Sequence, residues 1–195
     1  NPIDVVILNT LPSLVCTSPS YFTTGTNDIF EIQAGHTMTL AGSSWTISGT
    51  GLCQIDSGAT LICSVSIFTT GLTVANGGLL TATSTVGVNN GQTGFDFILN
   101  GVFRSSGSTA YGSGATGTCT ATGKYQHGST TGAGTIPVLT WDPASTVEIV
   151  GYTTYSANMV WGNQNFGNVV WNCPNQVNNI NANASLRTIR GDLTI

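Results

Sequence analysis

Charge is what this sequence has least of. Only 6% of its 195 residues are Asp, Glu, Lys or Arg, against about 25% in an ordinary soluble domain. Four Lys+Arg face eight Asp+Glu. So few cations have little with which to displace counterions from a phosphate backbone, so nucleic acid is not expected as a partner. Charge-driven binding to an anionic membrane falls for the same reason. Strong helix formers are scarce too: there are one Lys, two Glu and two Met, and no segment carries a long apolar stripe of 3.6-residue period. The longest apolar run near the start, Val5-Val6-Ile7-Leu8, is far short of the roughly 18 residues of a membrane span, so no membrane insertion is expected. No basic segment precedes it, so no secretory leader is visible. The five Cys include no CxxC pair, so zinc spacing is missing and no metal or other cofactor is expected.

What is present points one way. Hydrophobic residues make up 40% of the chain, with seven Phe, five Tyr and four Trp as core anchors. Such a chain collapses rather than staying disordered. The polar remainder is mostly Thr, Ser, Asn and Gly. Thr fits a pleated surface, and Asn and Gly tolerate the positive φ of tight turns. The class is therefore all-β.

An internal repeat narrows it. Ile32-x-x-Gly35-x-x-Met38-x-Leu40 recurs as Ile55-x-x-Gly58-x-x-Leu61-x-Cys63 and as Val74-x-x-Gly77-x-x-Leu80-x-Ala82. A fourth copy, Trp141-x-x-Ala144-x-x-Val147-x-Ile149, has Ala in place of Gly. Each unit is a short strand, a turn at the Gly and a second strand of period-two alternation. Met38 and Leu40, or Leu61 and Cys63, should face in, and Thr37 and Thr39, or Thr60 and Ile62, out. No unit buries its own apolar face, so units must stack on one another. The expected fold is a right-handed parallel β-helix, the hand following the general rule for parallel crossovers. A β-sandwich or jelly roll is the alternative, since short strands at close intervals suit it as well.

The whole chain, 1–195, reads as a single solenoid module. The repeat fades between Phe95 and Trp141. The Gly/Ser/Thr-dense stretch 105–135 is expected to be a loop insertion or a decorated rung. The chain opens at Asn1 and closes on Gly-Asp-Leu-Thr-Ile in what looks like mid-strand, so a segment of a longer polypeptide is expected. The five Cys (Cys16, Cys53, Cys63, Cys119, Cys173) are either small buried hydrophobes or one or two disulfides with a thiol left over. Cys53 and Cys63 form a possible pair if their rungs stack.

The rung I-x-x-G-x-T-h-x-h, together with W-D-P-A-S-T-V-E-I-V-G (141–151), F-G-N-V-V-W-N (166–172) and G-D-L-T-I (191–195), resembles the repeats of very large secreted bacterial surface proteins. These are the adhesin-like β-helix proteins of bacteria with type IX secretion. The resemblance covers about a third of the chain, from 141 to 195. It implies an extracellular or cell-surface β-helical module with no catalytic residue to carry over; separately, uncapped solenoid ends are expected to meet another copy or a neighbouring module end to end.

Candidate chemistry is thin. Hydrolysis of glycans needs two carboxylates facing one cleft, and the acids are scattered: Asp4, Asp28, Glu31, Asp56, Asp96, Asp142, Glu148 and Asp192. Arg104, Lys124, Arg187 and Arg190 accompany no acid cluster. His36 and His127 read as exposed polar residues, and no G-x-S-x-G elbow occurs. No catalytic residue is therefore assigned, although a polysaccharide-degrading β-helix remains the enzymatic alternative. Carbohydrate binding would use exposed aromatics such as Tyr111, Tyr125, Tyr152, Tyr155, Trp161 and Phe166. The Trp residues fit equally well in the core. The runs Thr81-x-Thr83-x-Thr85 and Thr116-x-Thr118-x-Thr120-x-Thr122 suggest ice binding only if T-x-T recurs in register, and Ile62 interrupts it. Asn183-Ala184-Ser185 is a lone N-glycosylation sequon.

Overall fold

The computed structural model describes residues 5–7, 13–18, 22–23, 29–88, 96–181 and 186–195. Among them there is no helix. Successive strands alternate between two long sheets. The first runs through Val5–Ile7, Ile29–Ile32, Trp45–Ile55, Ile67–Val74, Phe97–Leu99, Gly117–Cys119 and Thr140–Trp141. The second runs through Ser13–Ser18, Thr37–Gly42, Thr60–Cys63, Leu79–Ala82, Val102–Ser105, Lys124–His127, Thr146–Ile149, Asn168–Trp171 and Leu193–Thr194. Within each sheet the neighbours are parallel and one turn apart in sequence. A chain that alternates between two parallel ladders winds as a coil, so the fold is a parallel β-helix. The antiparallel sandwich is ruled out, because every strand pairing among the described residues is parallel. A short third wall is made by Ile67–Thr69, Val86–Val88 and Thr109–Tyr111.

The repeat works as its alternation dictates. In the second sheet Met38, Leu61, Leu80, Phe103, Tyr125, Val147 and Val169 form one inward column. Leu40, Cys63, Ala82, Ser105, His127 and Ile149 form a second, and all of these side chains are buried. Thr37, Thr39, Thr60 and Ile62 point outward and are half-buried. At the corner between the sheets, Gly35, Gly58 and Gly77 take φ of 81°, 75° and 86°, the left-handed region that only Gly enters without strain. They stack directly: Gly35 N–H donates to Gly58 O at 3.1 Å and Gly58 N–H to Gly77 O at 3.0 Å.

The stretch 105–135 is not a loop insertion. It holds strands Thr109–Tyr111, Gly117–Cys119 and Lys124–His127, which continue all three walls. It is a rung whose sequence hides it. Cys119, Tyr125 and His127 keep the motif's spacing, but Thr122 stands at the glycine position and a Tyr and a His fill the inward columns. One turn earlier, Leu99 precedes Phe103 by four residues where Val74 precedes Leu80 by six, so the corner is two residues shorter. The shortened corner needs Gly101, where a Cβ would overlap the carbonyl oxygens of Ala75 and Gly78.

Candidate functional site

Three features of the molecule carry chemistry. The first is a hydrogen-bonded ladder on the outward side of the second sheet, where Arg104, Gln126 and Glu148 fall in one column on successive turns. Arg104 Nε donates to Gln126 Oε1 at 2.9 Å, and Gln126 Nε2 donates to Glu148 Oε2 at 2.8 Å. Asn172 Nδ2 donates to Glu148 Oε1 at 3.1 Å, and Lys124 Nζ lies 3.5 Å from Glu148 Oε2. Burial pushes the Glu148 carboxyl up, but the amides of Gln126 and Asn172 and the Lys124 ammonium outweigh it and hold the group below its ordinary range. It stays a carboxylate, which suits an ion pair and makes a poor general acid.

The second is a buried polar cluster. His127 is 1% exposed, so the exposed position read from the sequence is corrected. Its Nε2–H donates to Ala133 O at 2.8 Å, and the same nitrogen lies 3.1 Å from Tyr152 Oη. Tyr152 Oη donates to Ala133 O at 2.6 Å, and Tyr125 Oη donates to Thr135 O at 3.3 Å. Residues 128–139 thus form a strap pinned over the His and Tyr side chains. Gly134, at φ 61°, lets the strap close in: a Cβ there would overlap Ser129 Oγ and the His127 ring.

The third is the surface left by the last turn. Val169 pairs with Leu193, which places Leu193 in the first inward column and Ile195 in the second. The inward residues from Met38 to Val169 and from Leu40 to Ile149 are buried and Trp171 is half-buried, whereas Leu193 is 57% and Ile195 is 93% exposed. A cavity of about 380 Å³ opens here between Trp161, Trp171, Ile180, Leu186, Ile189 and Leu193.

The aromatic residues expected to stack on sugars are mostly elsewhere. Tyr125, Tyr152, Trp161 and Phe166 are buried and belong to the core. Phe97, Phe103 and Tyr125 stack edge to face with centroids 5.6 and 5.4 Å apart, and Phe166 packs on Trp141 at 5.3 Å and on Trp161 at 5.4 Å. Burying rings this large outweighs what an exposed sugar platform would offer. Tyr155 is half-buried, lies flat on Tyr152 at 5.2 Å and donates to Asn158 O. Tyr111 is also half-buried, and its buried hydroxyl has no hydrogen-bond partner among the described residues. The five aromatics therefore form no common platform.

Cys53 and Cys63 are not bonded to each other. Both are free, fully buried thiols, and burial raises Cys63 to about 12. The reading of small buried hydrophobes holds for these two and for Cys119. Asp96 is buried and caps a turn, with its Oδ2 accepting from Thr116 N–H at 2.8 Å. Asp142 Oδ1 likewise accepts from Ala144 N–H at 2.8 Å. No group of three or more His, Cys, Asp and Glu converges among the described residues. The Thr runs do not build an array, because only Thr81 and Thr118 of them lie in the interior of their strands, and Arg104, Gln126 and Glu148 share the Thr81 column. The sequon at 183–185, Asp4, Asp28 and Phe95 lie outside the described residues.

Signals for the ladder are present in the sequence. Arg104, Gln126 and Glu148 follow one another at intervals of 22 residues, and one rung period aligns them. No protein-family model, curated protein or solved structure matches the chain.

Proposed function

We propose that the chain is a structural and adhesive module of a cell surface or extracellular filament, stacked end to end with further turns of solenoid. One observation carries the reading: the second sheet and its inward columns repeat turn after turn along one axis, from Met38 and Leu40 to Val169 and on to Leu193 in register. A partner of definite form fits them, namely another parallel rung with apolar side chains two residues apart. It would continue the ladder of the second sheet beyond Leu193–Thr194 and cover the apolar cavity, by β-augmentation. Contacts of this head-to-tail kind do not close, and so build filaments. Sparse charge lets neighbouring modules approach without repulsion. The rung motifs resembling those of secreted surface proteins agree with this placement.

Sedimentation of the 195-residue chain over a dilution series tests it. The chain is expected to form reversible end-to-end oligomers. Leu193→Asp combined with Ile195→Asp would force unpaired charges into the joint, and is expected to leave a monomer with an unchanged circular-dichroism spectrum. A wild-type chain that stays monomeric at every concentration overturns the reading.

A further inference from the structure

The ladder on the side of the second sheet is unbalanced in a particular way. Glu148 is satisfied from within: Gln126, Asn172 and Lys124 all point at its two oxygens. Arg104, two turns from Glu148 along the ladder, is exposed and is paired only with a neutral amide, through Nε alone. Among the described residues its two Nη groups have no partner. The bond to Gln126 fixes the guanidinium plane and leaves its outer edge as a preformed fork for an anion. Lys124 stands diagonally across the ladder from it, beside Val102. Lys124 is itself met by the Glu148 carboxylate, so on this face Arg104 is the cation that, among the described residues, no carboxylate meets.

The surroundings select among anions. Val102 and Leu79 are paired neighbours in the adjoining outward column, Ile62 and Thr81 share the column of Arg104, and all four are half-buried. They give a flat strip of aliphatic and hydroxyl groups with no other charge. A densely anionic ligand would find one strong point and nothing more. A sugar chain with occasional carboxylates has CH faces for the strip, hydroxyls for the Thr side chains and a bidentate group for the fork. The turn spacing of about 4.8 Å is close to the length of one sugar unit, so a glycan can run along the stack.

We propose that this face binds an acidic glycan, with Arg104 as the carboxylate receptor, Gln126 and Glu148 as its positioning residues and the Ile62–Leu79–Val102 strip as the seat of the neighbouring sugar. The proposal rests on the surface-module reading only for where such a ligand would be met.

Calorimetric titration tests it with a uronic-acid oligosaccharide, a sulfated and a neutral one of equal length, and a poly-glutamate peptide. The uronate oligomer is expected to bind, with an affinity that falls as salt is added. Arg104→Gln is expected to weaken it about tenfold, and Arg104→Lys less, because a point charge replaces a fork. Equal binding of the neutral oligomer or of the peptide, unchanged binding by Arg104→Gln, or no binding of the uronate overturns the proposal. Binding of the sulfated oligomer alone overturns the carboxylate assignment. Sedimentation of the wild-type chain alongside reads the ends of the stack separately: self-association without glycan binding sinks this proposal alone, and glycan binding by a strict monomer sinks only the filament.

Discussion

His127 is the residue whose chemistry departs furthest from what its neighbours in sequence suggest. It shares its column with Leu40, Cys63, Ala82, Ser105, Ile149 and Trp171, and its ring meets Tyr125, Tyr152 and the carbonyl of Ala133. Burial holds its pKa below the ordinary 6.5, and the hydrogen bond to the Ala133 carbonyl offsets only part of that. The fold therefore favours the neutral ring. Its contribution to stability is complete above 6.5 and is lost as pH falls below that value, since the unfolded chain takes up the proton first. Glu148 is depressed from 4.5, so its contribution is complete above 4.5 and is lost only at lower pH. Urea midpoints measured across this range should fall in two steps. His127→Gln should remove the upper step while lowering the plateau, and a wild-type midpoint that is flat from above 6.5 down to 4.5 would show that the ring does not titrate with unfolding. None of this is legible in the sequence. A His in a Gly/Thr-dense stretch looks solvated, and only the strap over it, held by Gly134, buries it. Tyr125 and Tyr152 mislead for the same reason: their polar tips suit a surface, but the strap's carbonyls satisfy those tips inside.

At the level of one turn, the motif is a sound guide wherever the corner keeps its length. Met38, Leu40, Leu61 and Cys63 are inward as the alternation requires, because a one-residue slip would expose all of them at once. The motif fails where the corner loses two residues after Leu99 and where Thr122 replaces the usual Gly. A fixed spacing misses such turns, although the inward alternation Tyr125-x-His127 persists. The two kinds of corner glycine should respond differently to a methyl group. At Gly58 the nearest atom to an added Cβ would be Gly35 N at 3.8 Å, so Gly58→Ala costs only backbone strain, about 1 kcal/mol. At Gly101 the φ is ordinary but the Cβ would meet carbonyl oxygens of the turn above, and since backbone cannot give way as a side chain does, Gly101→Ala should cost roughly 3 kcal/mol. Denaturant titrations of the two variants check the order, and a larger loss at Gly58 would mean that the turns are held apart by something other than this contact.

Across the whole molecule, the core is a line rather than a ball. Each turn touches the turn above and the turn below, so stability accumulates along the axis and the last turn is always the weakest unless something covers it. The inter-turn hydrogen bonds, such as Thr60 N–H to His36 O at 2.9 Å and Lys124 N–H to Gly101 O at 2.9 Å, lie along that same axis. This alignment decides how the protein bears load. Tension applied between its two ends falls on these bonds in series, so the turns detach singly and in order from an end rather than all together. Leu61 pairs with Leu80, nineteen residues on, and Val169 with Leu193, twenty-four on, so each turn that lets go should release roughly 60–85 Å of chain. Single-molecule stretching should accordingly give a train of small, similar steps, and one abrupt rupture of the whole length would contradict it. A stack built this way would lengthen turn by turn under a pull, each turn giving up its own length of chain before the next is loaded.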